Sequence, residues 1–239
     1  MKKQAKAKQK DNKAIAVIPV RGKQLDPNST ALRTLGNIPL INWTIEAALG
    51  SQRVQDVIIT TPDQEILSHV KKQYGPKVIA LKRSPRLAMP NTFIEDTIFE
   101  VLEQYQNNRA LPDIIVVLYV ESPFRGPAHI NSAIDVLEVF DTDTVVSVVA
   151  DNSIFYQHKG SGLELLHKGQ TLRLEREELY REVGHRHLVR RSFLEKKKQI
   201  VGGKVGHIIL DRQASLSLHD DWDWELAEFL IEKQKLRLY

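Results

Sequence analysis

The chain has 239 residues, 42% of them apolar, and a formal net charge of +4, enough for one large domain with a full core and with no apolar run of membrane-spanning length. It has no cysteine, which excludes structural disulfides and thiolate metal sites. The basic excess sits in residues 1–13, with six Lys and one Asp; the rest carries 28 basic and 29 acidic residues, so the body is near neutral, where a nucleic-acid domain usually keeps its basic stripe.

Residues 1–13 read as a disordered basic tail and 14–239 as a single domain. Only seven apolar residues follow the tail before Arg21, with no small-residue cleavage site. That reads as tail then strand rather than a signal peptide, and a cytoplasmic protein with no membrane partner is expected. Ala14–Val20 is the first apolar strand. A polar loop of about a dozen residues follows, and Leu40, Ile41, Ile45, Ala48 and Leu49 then share one helical face ending at Gly50.

Val57–Thr60 reads as a strand, and Ile66, Leu67, Val70 and Tyr74 as a helix stopped by Gly75-Pro76. Val78–Leu81 is a third strand. Phe93, Ile94, Thr97, Ile98, Val101, Leu102 and Tyr105 follow the 3.6-residue period. Ile114–Leu118 is unbroken apolar, as suits a sheet centre covered on both faces. Pro127 opens a further helix, and Thr144–Val149 is another buried strand. Residues 151–184 are polar, with Gly160, Gly162 and Gly169 as turn points, and read as an inserted arm containing a hairpin. Arg186–Val189 and Val205–Leu210 return to strand character, and Trp222–Leu236 closes the chain as an amphipathic helix. This alternation predicts an α/β fold, a single Rossmann-like domain with a mostly parallel sheet.

Strand, polar loop and helix at the start of such a domain are where loop amides and a helix N-terminus can meet a phosphate. The loop holds one early glycine, so spacing alone also fits an ordinary βα turn. Its residues say more. Ile18-Pro19, Arg21-Gly22, Leu32, Leu35-Gly36 and Pro39-Leu40-Ile41 stand in ungapped register with I-P-A-R-G-G-S-K-G-x-P-x-K-N-L-x-x-L-x-G-x-P-L-I. That is the signature of the acylneuraminate cytidylyltransferases (CMP-sialic acid synthetases and their CMP-sugar-acid relatives), and this chain resembles a divergent member. VIITTPD at Val57–Asp63, Arg83 with Leu87-Ala88, LYVESPFR at Leu118–Arg125, Thr144–Val148, Tyr180-Arg181 with Gly184, and Ser215–Leu230 resemble later family segments in the same order.

The resemblance implies a nucleotidyltransferase moving CMP from CTP to a nonulosonate-type sugar acid, with Mg²⁺ as cofactor and a homodimer built through the inserted arm. It places Arg21 and Lys23 as catalytic cations, and Arg21, Gly22, Lys23, Gln24, Arg83 and Ala88 around the nucleotide. Glu121, Ser122, Arg173 and Arg181 fall on the sugar-acid side, where guanidinium suits a carboxylate. Arg173 and Arg181 also fit a solvated charged arm, and Glu121 also fits a loop carboxylate paired to Arg125.

The departures are concentrated in phosphate and metal positions. Lys23, Gln24, Leu25 and Asp26 stand where the pattern has G-S-K-G, and Thr30-Ala31 where it has K-N. The metal-binding D-x-D falls on Ser217 and His219, leaving Asp220 and Asp221 as nearby metal candidates, while Asp223 reads as a helix cap. A paralogue with a binding or regulatory role and impaired turnover is the second reading. His185 and His187 share a strand face without a third metal ligand, and Trp222 and Trp224 read as core or interface anchors.

Overall fold

The computed structural model describes residues 14–23, 25–165, 179–234 and 238. Strand β1 (Ala14–Pro19) lies between two parallel neighbours, β4 (Val54–Thr61) and β6 (Ile114–Leu118). Every residue of β1 and β6 is buried, which is why both are apolar without alternation. Their side chains nonetheless divide by the strand period. Ala14, Ala16 and Ile18 join one core, and Ile15 and Val17 the other.

The sheet has seven strands in the order β11-β7-β10-β6-β1-β4-β5. β5 is Val78–Lys82, β7 Thr144–Asp151, β10 Leu179–Arg190 and β11 Val205–Ile209. Only β10 is antiparallel to its neighbours β6 and β7. On one face lie α1 (Leu40–Leu49), α2 (Gln64–Tyr74), α4 (Pro127–Val139) and α6 (Asp221–Gln234). On the other lie α3 (Ile94–Gln106) and the short α5 (Arg191–Lys197). This is a single Rossmann-like α/β domain with a mostly parallel sheet.

Three local devices aim the chain at its carboxyl-end face. The strands β2 (Thr34–Leu35) and β3 (Ile38–Pro39) form a minimal hairpin. Its two turn residues, Gly36 and Asn37, have φ of 59° and 64°, as a type I′ turn needs. Buried Trp43 donates to the Leu35 carbonyl at 3.3 Å and meets Phe124 edge-on. Pro127 occupies the first turn of α4, where the missing N–H costs nothing.

Some expectations shift. Phe93 precedes α3 as its N-cap residue and is 77% exposed, so it takes no part in the buried stripe. Strand β10 begins at Leu179, inside the expected arm, because it pairs with β7 as far as Asp151. The arm retains a hairpin, β8 (Tyr156–Lys159) with β9 (Gly162–Leu165), while Gly169 lies outside the described residues. Trp224 is a core anchor, whereas Trp222 is exposed.

Candidate active site

The chain runs outward from β1 to β4 and β5, then returns across β1 to β6. That reversal opens a crevice beyond the carboxyl ends of β1 and β6, the place where open α/β sheets hold ligands. A cavity of about 420 Å³ occupies it. Pro19, Val20 and Arg21 from the end of β1 and Tyr119, Val120 and Glu121 from the end of β6 form opposite walls. Asp26 to Thr30 of the first loop, Arg83, Leu87, Thr92 and the start of α3 close it, with Leu218 and His219 on the last side.

The first loop turns at Gly22, whose φ is +78°. Its carbonyl accepts from the Leu25 and Asp26 amides at 3.3 and 2.9 Å. A Cβ at this position would collide with the Asp63 side chain, so glycine is required both by backbone and by space. Asp63 cannot yield easily, since its Oδ1 caps α2 by accepting from the Glu65 amide at 2.8 Å and the Ile66 amide at 3.4 Å. Asp26 lines the cavity and its carboxylate also accepts from the Asn28 amide at 3.1 Å, fixing the turn that presents Asn28, Ser29 and Thr30. Ala31 is buried and serves the core.

Arg83 is 3% exposed. Its Nη2 donates to the Val20 carbonyl at 2.7 Å, while Nε has no hydrogen-bond partner among the described residues. Burial, followed by the charge of nearby Arg21, pulls this guanidinium down to about 10, partly offset by Glu100. Two guanidinium groups therefore repel one another at one end of the cavity, a standing demand for an anion.

The opposite wall is acidic. Tyr119 is half-buried, and its phenol is pushed up to about 12 by burial and by Glu121, Glu95 and Glu182, against Arg21. It therefore stays a neutral hydrogen-bond donor at physiological pH. Below it, fully buried Arg125 donates to the carbonyls of Gly184 at 2.9 Å and Tyr119 at 3.1 Å, and to Thr44 Oγ1 at 3.4 Å. Arg125 is thus a backbone clamp, and the expected ion pair with Glu121 does not form.

The structure brings Arg21, Arg83 and Glu121 to the cavity, with Gly22 shaping its loop. Lys23 is exposed and is not among the lining residues, because the turn after Gly22 carries it outward. Ala88 is buried behind Leu87, at the end of the 3-10 turn Pro85–Ala88, and Leu87 presents the surface instead. Ser122 is fully buried and meets Ser217, Oγ to Oγ, at 2.8 Å; it ties two segments together beneath the cavity. Arg181 points away, its Nε donating to Asp151 at 3.2 Å. Gln24 and Arg173 lie outside the described residues. Ser29 and Thr92 were not singled out from sequence, and Tyr119 and Thr30 only as departures from the family pattern. Their signal was position alone, at strand ends and in the first loop.

The metal candidates are occupied otherwise. Asp220 Oδ1 accepts from the Asp223 amide at 2.9 Å, and Asp223 Oδ2 accepts from the Asp220 and His219 amides at 3.3 and 2.9 Å. The pair forms a reciprocal cap for α6. Asp221 is exposed and pairs with Arg33 at 3.4 Å. Among the described residues no three His, Asp or Glu side chains converge as metal ligands. The described residues therefore offer no preformed cage for Mg²⁺, and no chemical step below is routed through one.

A family profile described as Cytidylyltransferase matches residues 28–200. N-acylneuraminate cytidylyltransferase A of Danio rerio is 27% identical over 223 residues, covering 89% of this chain and 49% of the relative. CMP-N,N′-diacetyllegionaminic acid synthase of Legionella pneumophila is 35% identical over 136 residues, 56% of each chain. The chain spans about half the length of the curated relatives it matches. Among solved structures, a CMP:2-keto-3-deoxy-manno-octonic acid synthetase complexed with CTP is similar at a TM-score of 0.68 and 16% identity, covering 94% of this chain and 100% of that one. At that identity the likeness establishes the fold. With the profile spanning most of the domain, the chain belongs to the cytidylyltransferase family.

Proposed function

We propose that this protein transfers CMP from CTP to a hydroxyl of a nonulosonate-type sugar acid and releases pyrophosphate. The observation that carries the reading is the pairing of Arg21 with buried Arg83 at one end of a cavity whose other end is a polar wall. The acceptor oxygen attacks the α-phosphorus, the bond to the pyrophosphate oxygen breaks with its electron pair leaving on pyrophosphate, and the hydroxyl proton passes to solvent. Negative charge accumulates on the phosphate oxygens and leaving group. Arg21 and Arg83 stabilise it, Arg83 as a preorganised donor held by Val20. Base and ribose lie against Leu87 and Thr92, and the acceptor against Tyr119 and Glu121.

Magnesium enters as the counter-ion of CTP, so the magnesium complex is written as substrate. The exposed hairpin of the arm, with Tyr156 and Leu163 among its exposed apolar residues, supports a homodimer contact. No helix of the described residues is long and apolar enough to cross a membrane, and a cytoplasmic location, where CTP is made available, belongs to the same proposal. The test is pyrophosphate release from CTP in the presence of a sugar acid. Release that depends on Arg21 and Arg83 supports the reading; none with any sugar acid tried contradicts it.

A further inference from the structure

The wall at the end of β6 carries a charge opposite to that of the phosphate end. Tyr119 and Glu121 both line the cavity. The Glu121 carboxylate forms no ion pair or hydrogen bond among the described residues, although its own carbonyl accepts from the Leu218 amide at 2.8 Å. Behind Tyr119, the antiparallel register sets His187 opposite Val117. The His187 ring meets the Tyr119 ring edge-on, with centroids 6.2 Å apart and planes at 86°, and His187 Nε2 is paired with the Glu182 carboxylate. Glu95 stands in the first turn of α3 between cavity residues Ile94 and Thr97, and its Oε1 accepts from the Ile200 amide at 3.2 Å.

Three carboxylates thus act on one phenol, and all three hold its proton on against Arg21 across the cavity. A substrate carboxylate laid on this wall meets like charge. A protonated nitrogen meets Glu121 with N–H donors directed at a carboxylate that has no partner among the described residues, and the other two carboxylates add to the field. We infer that the acceptor wall formed by Tyr119 and Glu121 selects a sugar acid carrying a cationic nitrogen substituent, an amine or amidine, with its carboxylate turned away from β6. The choice of ligand as acceptor rests on the transferase reading; the charge preference of the wall does not.

A matched pair of probes separates charge from shape: N-acetylneuraminate and its acetamidino isostere, in which nitrogen replaces the amide oxygen. Each is titrated calorimetrically into the full chain saturated with the α,β-methylene analogue of CTP, and separately assayed for pyrophosphate release from CTP. The amidine binds about tenfold more tightly, the equivalent of about 1.4 kcal/mol. Added salt narrows the gap, and Glu121→Gln reduces it to about one-fold, within error. The inference is overturned if the acetamido acid binds as well or better, if neither acid binds, or if the gap is insensitive to both salt and Glu121→Gln. The salt series on the wild-type chain decides the matter should the variant not fold. Pyrophosphate release with the acetamido acid but no amidine preference keeps the transferase reading and removes this inference. An amidine preference without pyrophosphate release from any acid does the reverse.

Discussion

The Arg83 guanidinium donates Nη2 to the Val20 carbonyl at 2.7 Å, tying the exit of β5 to the exit of β1 across the mouth of the cavity. The bond orients a cation that burial and Arg21 both disfavour. Arg83→Met removes a buried charge and is expected to leave the thermal midpoint unchanged or raised. CTP affinity should fall at least about tenfold, since a charge-assisted phosphate contact contributes about 1.5–3 kcal/mol. Melting and titration of the same preparation check both halves.

Gly22→Ala forces a left-handed residue with a side chain into Asp63. The backbone strain costs about 1–2 kcal/mol, and displacement of the α2 cap adds about 1 kcal/mol. Urea unfolding should register the sum, with the midpoint lowered at unchanged slope. An unchanged midpoint would show that the loop turns differently.

Tyr119 supplies a test at alkaline pH. Its folded-state value is raised above the ordinary phenol value of 10.0, to about 12. Below pH 10 the phenol is protonated in both folded and unfolded chains and no stability depends on it. Between 10 and 12 the unfolded chain releases a proton that the folded chain keeps, so stability falls as pH rises through that window. Tyr119→Phe should lose less stability than wild type between pH 9 and pH 11, compared by urea midpoints. Equal losses would place the phenol in solvent.

Asp220 and Asp221 should be inert toward magnesium. Asp220→Ala removes the α6 cap and costs about 1 kcal/mol of stability, and Asp221→Asn changes stability by less than about 0.5 kcal/mol, as an exposed pair allows. Neither variant should alter the magnesium dependence of CTP binding, and the chain without nucleotide should show no magnesium heat in calorimetry. A magnesium response lost in either variant would restore these residues as ligands.

How far the sequence could be read follows from the kind of signal each residue gave. Buried runs such as Ile114–Leu118 and the stripe from Ile98 to Tyr105 were plain, because period and apolarity are local properties. The position of the crevice was plain too, since Arg21 and Glu121 stand at strand ends that the βαβ rhythm brings together. Side-chain direction was not. Lys23 was expected at the phosphates and is turned outward by a backbone twist at Gly22. Arg125 was read as a partner for Glu121 and instead holds groups from α1, β10 and the residue after β6, a choice set by tertiary packing that no spacing reveals. Asp223 was legible as a helix cap, whereas Asp220 fell where a metal site was sought; its bond from the Asp223 amide makes it the other half of the same cap.

In the proposed reaction Arg21 and Arg83 form the triphosphate end of a CTP site. The most direct measurement is calorimetric titration of CTP and of CMP into wild type and the Arg21→Ala, Arg83→Met double variant. CTP should bind more strongly than CMP in wild type, with that difference abolished in the double variant. Equal affinity for CTP and CMP in wild type, or CTP binding untouched by loss of both arginines, would contradict it.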